Sequence, residues 1–144
     1  MYYAVIGDII NSKKLPDRFS VQEKLTEVLG RLNEEYEDDL ASNFIITIGD
    51  EFQGLLRKGN HVLEIIDKIN ILMDPVQIRF GIGIGEIKTR INKLSIGADG
   101  PAYWHAREAI LKVHEDNDYG RAKLMISAQE NPNLILMMNE ILRL

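Results

Sequence analysis

Two short apolar runs, Phe44 to Ile48 and Phe52 to Leu56, are joined by only Gly49-Asp50-Glu51. Glycine and aspartate at so short a junction suit a chain reversal, so the pair reads as a β-hairpin. What precedes it leaves the fold few choices. Tyr2 to Ile10 is a short apolar run consistent with a strand buried on both faces. Asn11 to Arg18 is polar, interrupted by Pro16, and reads as a loop. From about Ser20 to Tyr36 the apolar positions Val21, Leu25, Val28, Leu29, Leu32 and Tyr36 follow helical spacing. Ser20 is the expected N-cap, with Glu23 completing a capping box. In such a strand–helix–hairpin start, a right-handed crossover makes strands one and two parallel. The third strand then inserts between them and runs antiparallel to both, the split βαβ arrangement.

The remaining segments extend the pattern. A helix is predicted from about His61 to Met73, with Val62, Ile65, Ile66, Ile69 and Leu72 on one face and Pro75 closing it. Ile78, Phe80, Ile82 and Ile84 then alternate with Gln77, Arg79, Gly81 and Gly83, a strand with glycines on one side. Those glycines, with Gly85, let a helix or ligand approach the sheet closely, and packing is the simpler account of them. Gly97-Ala98-Asp99-Gly100-Pro101 leads into a helix through about Val113, with Asp99 as a candidate cap. A strand around Ala122 to Ser127 and a helix from Leu134 follow. The predicted fold is α/β: a ferredoxin-like βαββαβ sheet, mixed and mostly antiparallel, with helices on one face and an extra C-terminal strand and helix. Residues 1–144 read as a single domain. The last segment, LILMMNEILRL, is apolar at 8 of 11 positions. It is expected to bury in the core, join a dimer, or lead into further chain beyond Leu144.

This topology brings two aspartates to one sheet edge. Asp8 ends the first strand and Asp50 sits at the hairpin tip. Neighbouring strands lie about 4.8 Å apart, so the two carboxylates can converge on one cation. Each aspartate alone suits a turn; the pair at one edge suits a metal. Oxygen-only ligands point to Mg2+ or Mn2+, completed by the phosphates of a ligand. Glu51, next to Asp50, would point to the opposite face of a regular strand. Beyond Asp8, the backbone N–H groups of Ile10, Asn11 and Ser12 can cradle phosphate oxygens. Lys13, Lys14 and Arg18 either add positive charge there or form a solvated basic loop. The expected ligand is therefore a nucleotide or another phosphorylated small molecule.

Composition removes several alternatives. The net charge of −5 provides no basic field to recruit nucleic acid to this domain. With no cysteine, disulfides, thiolate metal sites and a cysteine nucleophile are excluded. No apolar run approaches the roughly 20 residues needed to span a bilayer, and MYYAVIGDII lacks the features of a signal peptide. A cytoplasmic location is expected. His61, His105 and His114 have no metal-ligand spacing.

The segments "VIGDIINSKKL", "ITIGDEFQGLL" and "IRFGIGIGEI…IGADGPAYWHAREAI" resemble the SatD family, named for secretion and acid tolerance. More distantly they resemble class III nucleotidyl cyclases and GGDEF domains. The resemblance implies that Asp8 and Asp50 hold metal ions, with the backbone carbonyl of Ile9 as a further ligand. It also implies that Arg107 stabilises charge on a phosphoryl group, although Arg107 could instead pair with Glu86 or Asp99. A homodimer is implied as well, as is a longer chain carrying a segment like a helix-turn-helix. Two positions depart from the cyclase pattern. Ile46 stands where adenylate cyclases use a base-reading lysine, and Tyr103 where they use a helix asparagine. The expectation is a regulatory domain that binds a divalent metal and a nucleotide-like ligand without cyclase activity. The alternative is a metal-dependent nucleotide-processing enzyme with a non-standard base pocket.

Overall fold

The computed structural model describes residues 1–11, 15–89, 91, 99–116, 124–128, 135, 138, 139 and 141, with backbone alone at 114–116. The elements follow in the order β1 (Tyr2–Ile9), α1 (Arg18–Glu35), β2 (Leu40–Ile46), β3 (Glu51–Leu56), α2 (Val62–Met73), β4 (Ile78–Gly85), α3 (Pro101–Asp116) and β5 (Leu124–Ala128). The sheet runs β2-β3-β1-β4-β5. Every neighbouring pair is antiparallel except β4 and β5, which are parallel. β3 thus lies between β1 and β2, the placement that the hairpin required. The C-terminal helix expected from Leu134 falls mostly outside the described residues. Ile135, Met138, Asn139 and Ile141 are helical, and Ile135 and Met138 pack on the core.

The helix expected to start at Ser20 starts at Arg18 instead. Asp17 is its N-cap and accepts the Ser20 N–H at 3.1 Å and the Ser20 hydroxyl at 2.8 Å. A carboxylate placed before the first turn accepts from the donors that the helix leaves unpaired, so the cap lies three residues upstream of the serine. The change has a consequence for the site, because it makes Arg18 and Gln22 neighbours on one helical face.

Alternation along β1 sends its side chains into two separate cores. Val5 and Ile9 join Leu25, Leu29 and Leu32 of α1, Phe52 of β3, Ile65 and Ile69 of α2, and Phe80 of β4. Ala4 and Ile6 join Leu55 of β3 and Ala102, Tyr103, Ala106 and Ile110 of α3. α1 and α2 share a face, as expected, but α3 covers the other; the expectation of helices on one face is corrected here. The bare side of β4 is the reason. A Cβ on Gly83 would stand 2.0 Å from the Ala102 carbonyl oxygen and 2.1 Å from the Ala106 nitrogen. A Cβ on Gly81 would stand 2.5 Å from the Ala106 carbonyl oxygen. The backbone of α3 therefore rests on that of β4, with no room for any side chain between them.

Each of the two border strands has one residue capped by a side-chain amide. Asn33 of α1 accepts the Phe44 N–H at 2.7 Å and donates to the Phe44 carbonyl at 2.9 Å. Phe44 falls where the β2–β3 register shifts, so its backbone groups turn outward. At the other border, Asn139 makes the same two bonds to Ile126 of β5, at 2.7 and 2.9 Å.

Two glycines should respond in opposite directions. Gly83→Ala must push α3 off the sheet and should cost about 3 kcal/mol, the upper end of overpacking penalties. Gly30, exposed in the middle of α1, has nothing within 4 Å of the point where a methyl group would stand. Gly30→Ala should stabilise by about 0.5–1 kcal/mol. Urea denaturation of both variants checks the pair.

Candidate metal and phosphate site

The hairpin tip differs slightly from the sequence expectation. β2 ends at Ile46, and Thr47, Ile48, Gly49 and Asp50 form the connection. Thr47 N–H donates to the Glu51 carbonyl at 2.9 Å and Glu51 N–H to the Ile48 carbonyl at 3.0 Å. Gly49 has φ +59°, a conformation that glycine adopts at little cost. Ile48, assigned to the strand from sequence, stands in this turn and is 84% exposed.

Asp8 and Asp50 come to the same edge of the sheet. The Ile9 N–H donates to the Asp50 carbonyl oxygen at 3.2 Å, tying the end of β1 to the hairpin tip. The Asp50 side chain is 6% exposed and turns to α1. Its Oδ2 accepts from an Arg18 guanidinium nitrogen at 2.8 Å, and its Oδ1 from Arg18 Nε at 3.5 Å and Gln22 Nε2 at 2.9 Å. Gln22 also donates to the Gly49 carbonyl at 3.3 Å. Asp8 sits between Glu51 of β3 and Arg79 of β4 in register. By alternation it shares a face with Ala4 and Ile6, the face covered by α3. Glu51 lies on that same face, where its Oε1 pairs with Arg107 of α3 at 2.7 Å.

The other expected residues are placed as follows. Ile9 is buried in the core formed with α1 and α2. Ile10 donates its N–H to the Gln77 carbonyl at 2.9 Å, so that group is committed to the sheet edge and not to a phosphate cradle. Asn11 turns the chain with φ +55°. Ser12 and Lys13 lie outside the described residues, as does Lys14. Arg107 pairs with Glu51, not with Glu86 or Asp99. Glu86 instead meets the N-terminal ammonium of Met1 at 3.3 Å, and Asp99 accepts the Trp104 indole N–H and the Gly100 N–H. Tyr103 is buried, while Trp104 is half-exposed under the Lys88 ammonium, 5.0 Å from the ring centre. A cavity of about 390 Å³ opens between these elements, lined by Ile6, Gln53, Tyr103, Trp104 and Arg107. Glu51 points to the face opposite Asp50, as expected, but its pairing with Arg107 and the roles of Gln22 and Gln53 were missed from sequence; the Arg18–Gln22 spacing was the available signal for Gln22.

Carboxylate oxygens suit a hard cation. The Asp50 side chain turns to α1, however, while Asp8 and Glu51 lie on the face covered by α3, so the structure does not bring the Asp8 and Asp50 carboxylates onto one ion. Asp50 is a nearly enclosed carboxylate that already binds a cationic group, and the acidic groups at this edge offer oxygen alone. Among the described residues no three histidine or acidic side chains gather tightly enough to encircle a metal. A Mg2+ or Mn2+ ion here would be completed by water and ligand phosphate, the usual habit of Mg2+. Nearby, the Ser20 hydroxyl and then its N–H hold the Asp17 carboxyl below the ordinary carboxylate range. A lowered pKa stabilises the folded helix start above the unfolded value, and that support is lost as pH falls through the folded value.

The Ser20 amide resonance should accordingly titrate with Asp17, at a pH below that of an ordinary aspartate. Arg18→Met removes the guanidinium from a buried carboxylate and should cost about 1.5–3 kcal/mol. Arg107→Met breaks a half-exposed pair and should cost less than about 1 kcal/mol. Equal losses in urea denaturation would contradict the difference in burial.

Comparison with known proteins agrees with this architecture. Among solved structures, a bacterial light-regulated adenylyl cyclase matches with TM-score 0.62 and 14% identity, covering 87% of this chain and 74% of that one. The catalytic core of a rhodopsin-guanylyl cyclase with converted specificity, in complex with ATPalphaS, matches with TM-score 0.50 and 14% identity. That match covers 76% of this chain and 71% of the other. At this identity the likeness is one of fold. No curated protein sequence matches the chain. Among the described residues, no helix is long and apolar enough to cross a membrane. The SatD family model matches residues 2–143, nearly the whole chain, which therefore belongs to the SatD family.

Proposed function

We propose that this SatD domain binds a divalent metal, Mg2+ or Mn2+, together with a phosphate-bearing ligand such as a nucleotide, and acts as a regulatory domain without cyclase turnover. The observation that carries the proposal is the backbone bond from the Ile9 N–H to the Asp50 carbonyl, which holds the Asp8 and Asp50 positions at one sheet edge. The Asp50 side chain would have to turn away from α1 for both carboxylates to reach one ion. Asp50 is one candidate metal ligand, and Asp8 and the Ile9 carbonyl are the others. Asn11, Ser12 and Lys13 belong to the loop that would meet phosphate. The cavity beside Tyr103 and Trp104 supplies aromatic surface and the Gln53 amide, features suited to a planar, hydrogen-bonding ligand. The fold shared with cyclase domains supports a nucleotide as that ligand.

Two features favour binding over catalysis. Arg107, the group that would stabilise a transferring phosphoryl, is paired within its own chain to Glu51. Tyr103 fills the helix position that carries an asparagine in the cyclase pattern, and it is buried. The second reading, a metal-dependent nucleotide-processing enzyme, is favoured by Arg107 bordering the same cavity as Gln53. In a homodimer α3 of one copy could approach the edge of the other, and Arg107 would then have a choice of partners.

Thermal unfolding with ATP or GTP, with and without Mn2+, tests the binding. A ligand at 100 times its Kd should add about 2.7 kcal/mol of stability. Asp8→Ala and Asp50→Ala should each abolish the metal-dependent part of the shift. An equal shift in wild type and both variants would remove the shared site. Product analysis after long incubation separates the readings, since metal-dependent turnover lost in both variants would establish the enzyme.

A further inference from the structure

Resting on the cavity beneath α3 as the seat of a planar ligand, we propose that it binds, without any metal, an aromatic ring bearing a single anionic group, and that Glu51 is the internal anion which this ligand replaces on Arg107. At about 390 Å³ the cavity is of small-molecule size. Ile6, Tyr103 and Trp104 give it apolar and aromatic walls, and Gln53 an amide. Of the described residues that line it, Arg107 alone carries a charge. Trp104 is held in place from outside the cavity: Asp99 accepts its indole N–H, and the Lys88 ammonium stands 5.0 Å from the ring centre. A wall fixed in advance loses little freedom when a ring settles on it. Trp104 and Arg107 are three residues apart on α3, so their Cβ atoms lie about 5–6 Å from each other. A ring resting on Trp104 thus brings an anionic substituent within reach of the guanidinium.

Arg107 already holds a carboxylate, since its guanidinium meets Glu51 Oε1 at 2.7 Å. The two side chains are 46% and 27% exposed, so Glu51 regains water when it is displaced, and a pair in that setting is weak. An incoming carboxylate or phosphate offers the guanidinium the same acceptor oxygens. The ring adds what Glu51 lacks, because it covers Ile6 and the two aromatic walls. Glu51 also limits the charge that the ligand can carry. It stands opposite Asp8 in register between β3 and β1, and both lie on the face covered by α3. Further phosphates beyond Arg107 would meet these two carboxylates and be repelled. A nucleoside monophosphate or an aromatic carboxylate stops short of them, and a triphosphate does not.

Trp104 is the single tryptophan of the chain, so its fluorescence reports on this cavity directly. Titration in EDTA with AMP, GMP, nicotinate, ATP and inorganic phosphate tests the idea on wild type, Glu51→Gln and Arg107→Gln. AMP, GMP or nicotinate should change the emission saturably, and the one that does so tells a nucleotide from an aromatic acid. Inorganic phosphate should leave the emission unchanged, and ATP should bind more weakly than AMP. Glu51→Gln should tighten the responding probe by about fivefold or more, the lower end of usual coupling factors. Arg107→Gln should weaken it by about tenfold or more, and Arg107→Lys, which keeps the charge without the fork, should recover part of that loss. Tightening in Glu51→Gln is a change that a merely structural ion pair would not produce. No response to any ring-bearing probe, in wild type and Glu51→Gln alike, would overturn the pocket while leaving the Mn2+-dependent reading to its own test. Binding unchanged or weakened in Glu51→Gln would overturn the replacement of Glu51, and binding unchanged in Arg107→Gln would overturn the anion position. ATP bound in EDTA as tightly as AMP would overturn the limit to one anionic group.

Discussion

The close seating of α3 on β4 organises half of the molecule. Gly81 and Gly83 leave the helix backbone in contact with the strand backbone, with Ala102 and Ala106 as the small residues on the helix side. A short separation of this kind is a packing solution available only when both surfaces lack large side chains. It sets the height of α3 above the sheet, and with it the positions of Tyr103, Trp104 and Arg107 over Ile6, Gln53 and Glu51. The cavity exists because the same helix that lies flush on β4 meets larger residues over β1 and β3. The aromatic and cationic groups of the candidate ligand pocket are therefore positioned by a contact that contains neither.

The other half is organised around a charge. A carboxylate as enclosed as that of Asp50 is expensive to remove from water unless a cation or several donors accompany it. The chain supplies both from one helical face, Arg18 and Gln22, one turn apart. Their bonds to the tip of the hairpin link the start of α1 to the start of β3.

The sheet order was legible because the short hairpin allowed one insertion and the first crossover one hand. The Tyr2 to Ile10 run, apolar on both sides, also held the information that both faces are covered, and it conflicts with helices on a single face. The glycines of β4 said which strand would take the second cover only once the identity of the covering helix was known. Ser20 looked like a cap because serine followed by Glu23 fits a common pattern; Asp17 displaced it as a charged acceptor placed one turn earlier. Asp8 and Asp50 were legible as neighbours, since strand order alone brings them to one edge. The direction of the Asp50 side chain was not, because its partner lies 32 positions away and depends on where α1 begins. Glu51 and Arg107 were each visible in the sequence, but their pairing required knowing that α3 crosses to the opposite face.

The amides of Asn33 and Asn139 each cap one residue on a border strand of the sheet. Each presents to an outward-facing residue the same donor and acceptor that another strand would offer, and occupies that place from within the chain. A second polypeptide seeking to extend the sheet would find those hydrogen-bonding sites already filled by side chains. Growth by adding strands is thereby blocked at Phe44, where a register shift exposes the backbone, and at Ile126 on the far border. At those two points, contact with another polypeptide must come through side-chain chemistry and not through backbone pairing.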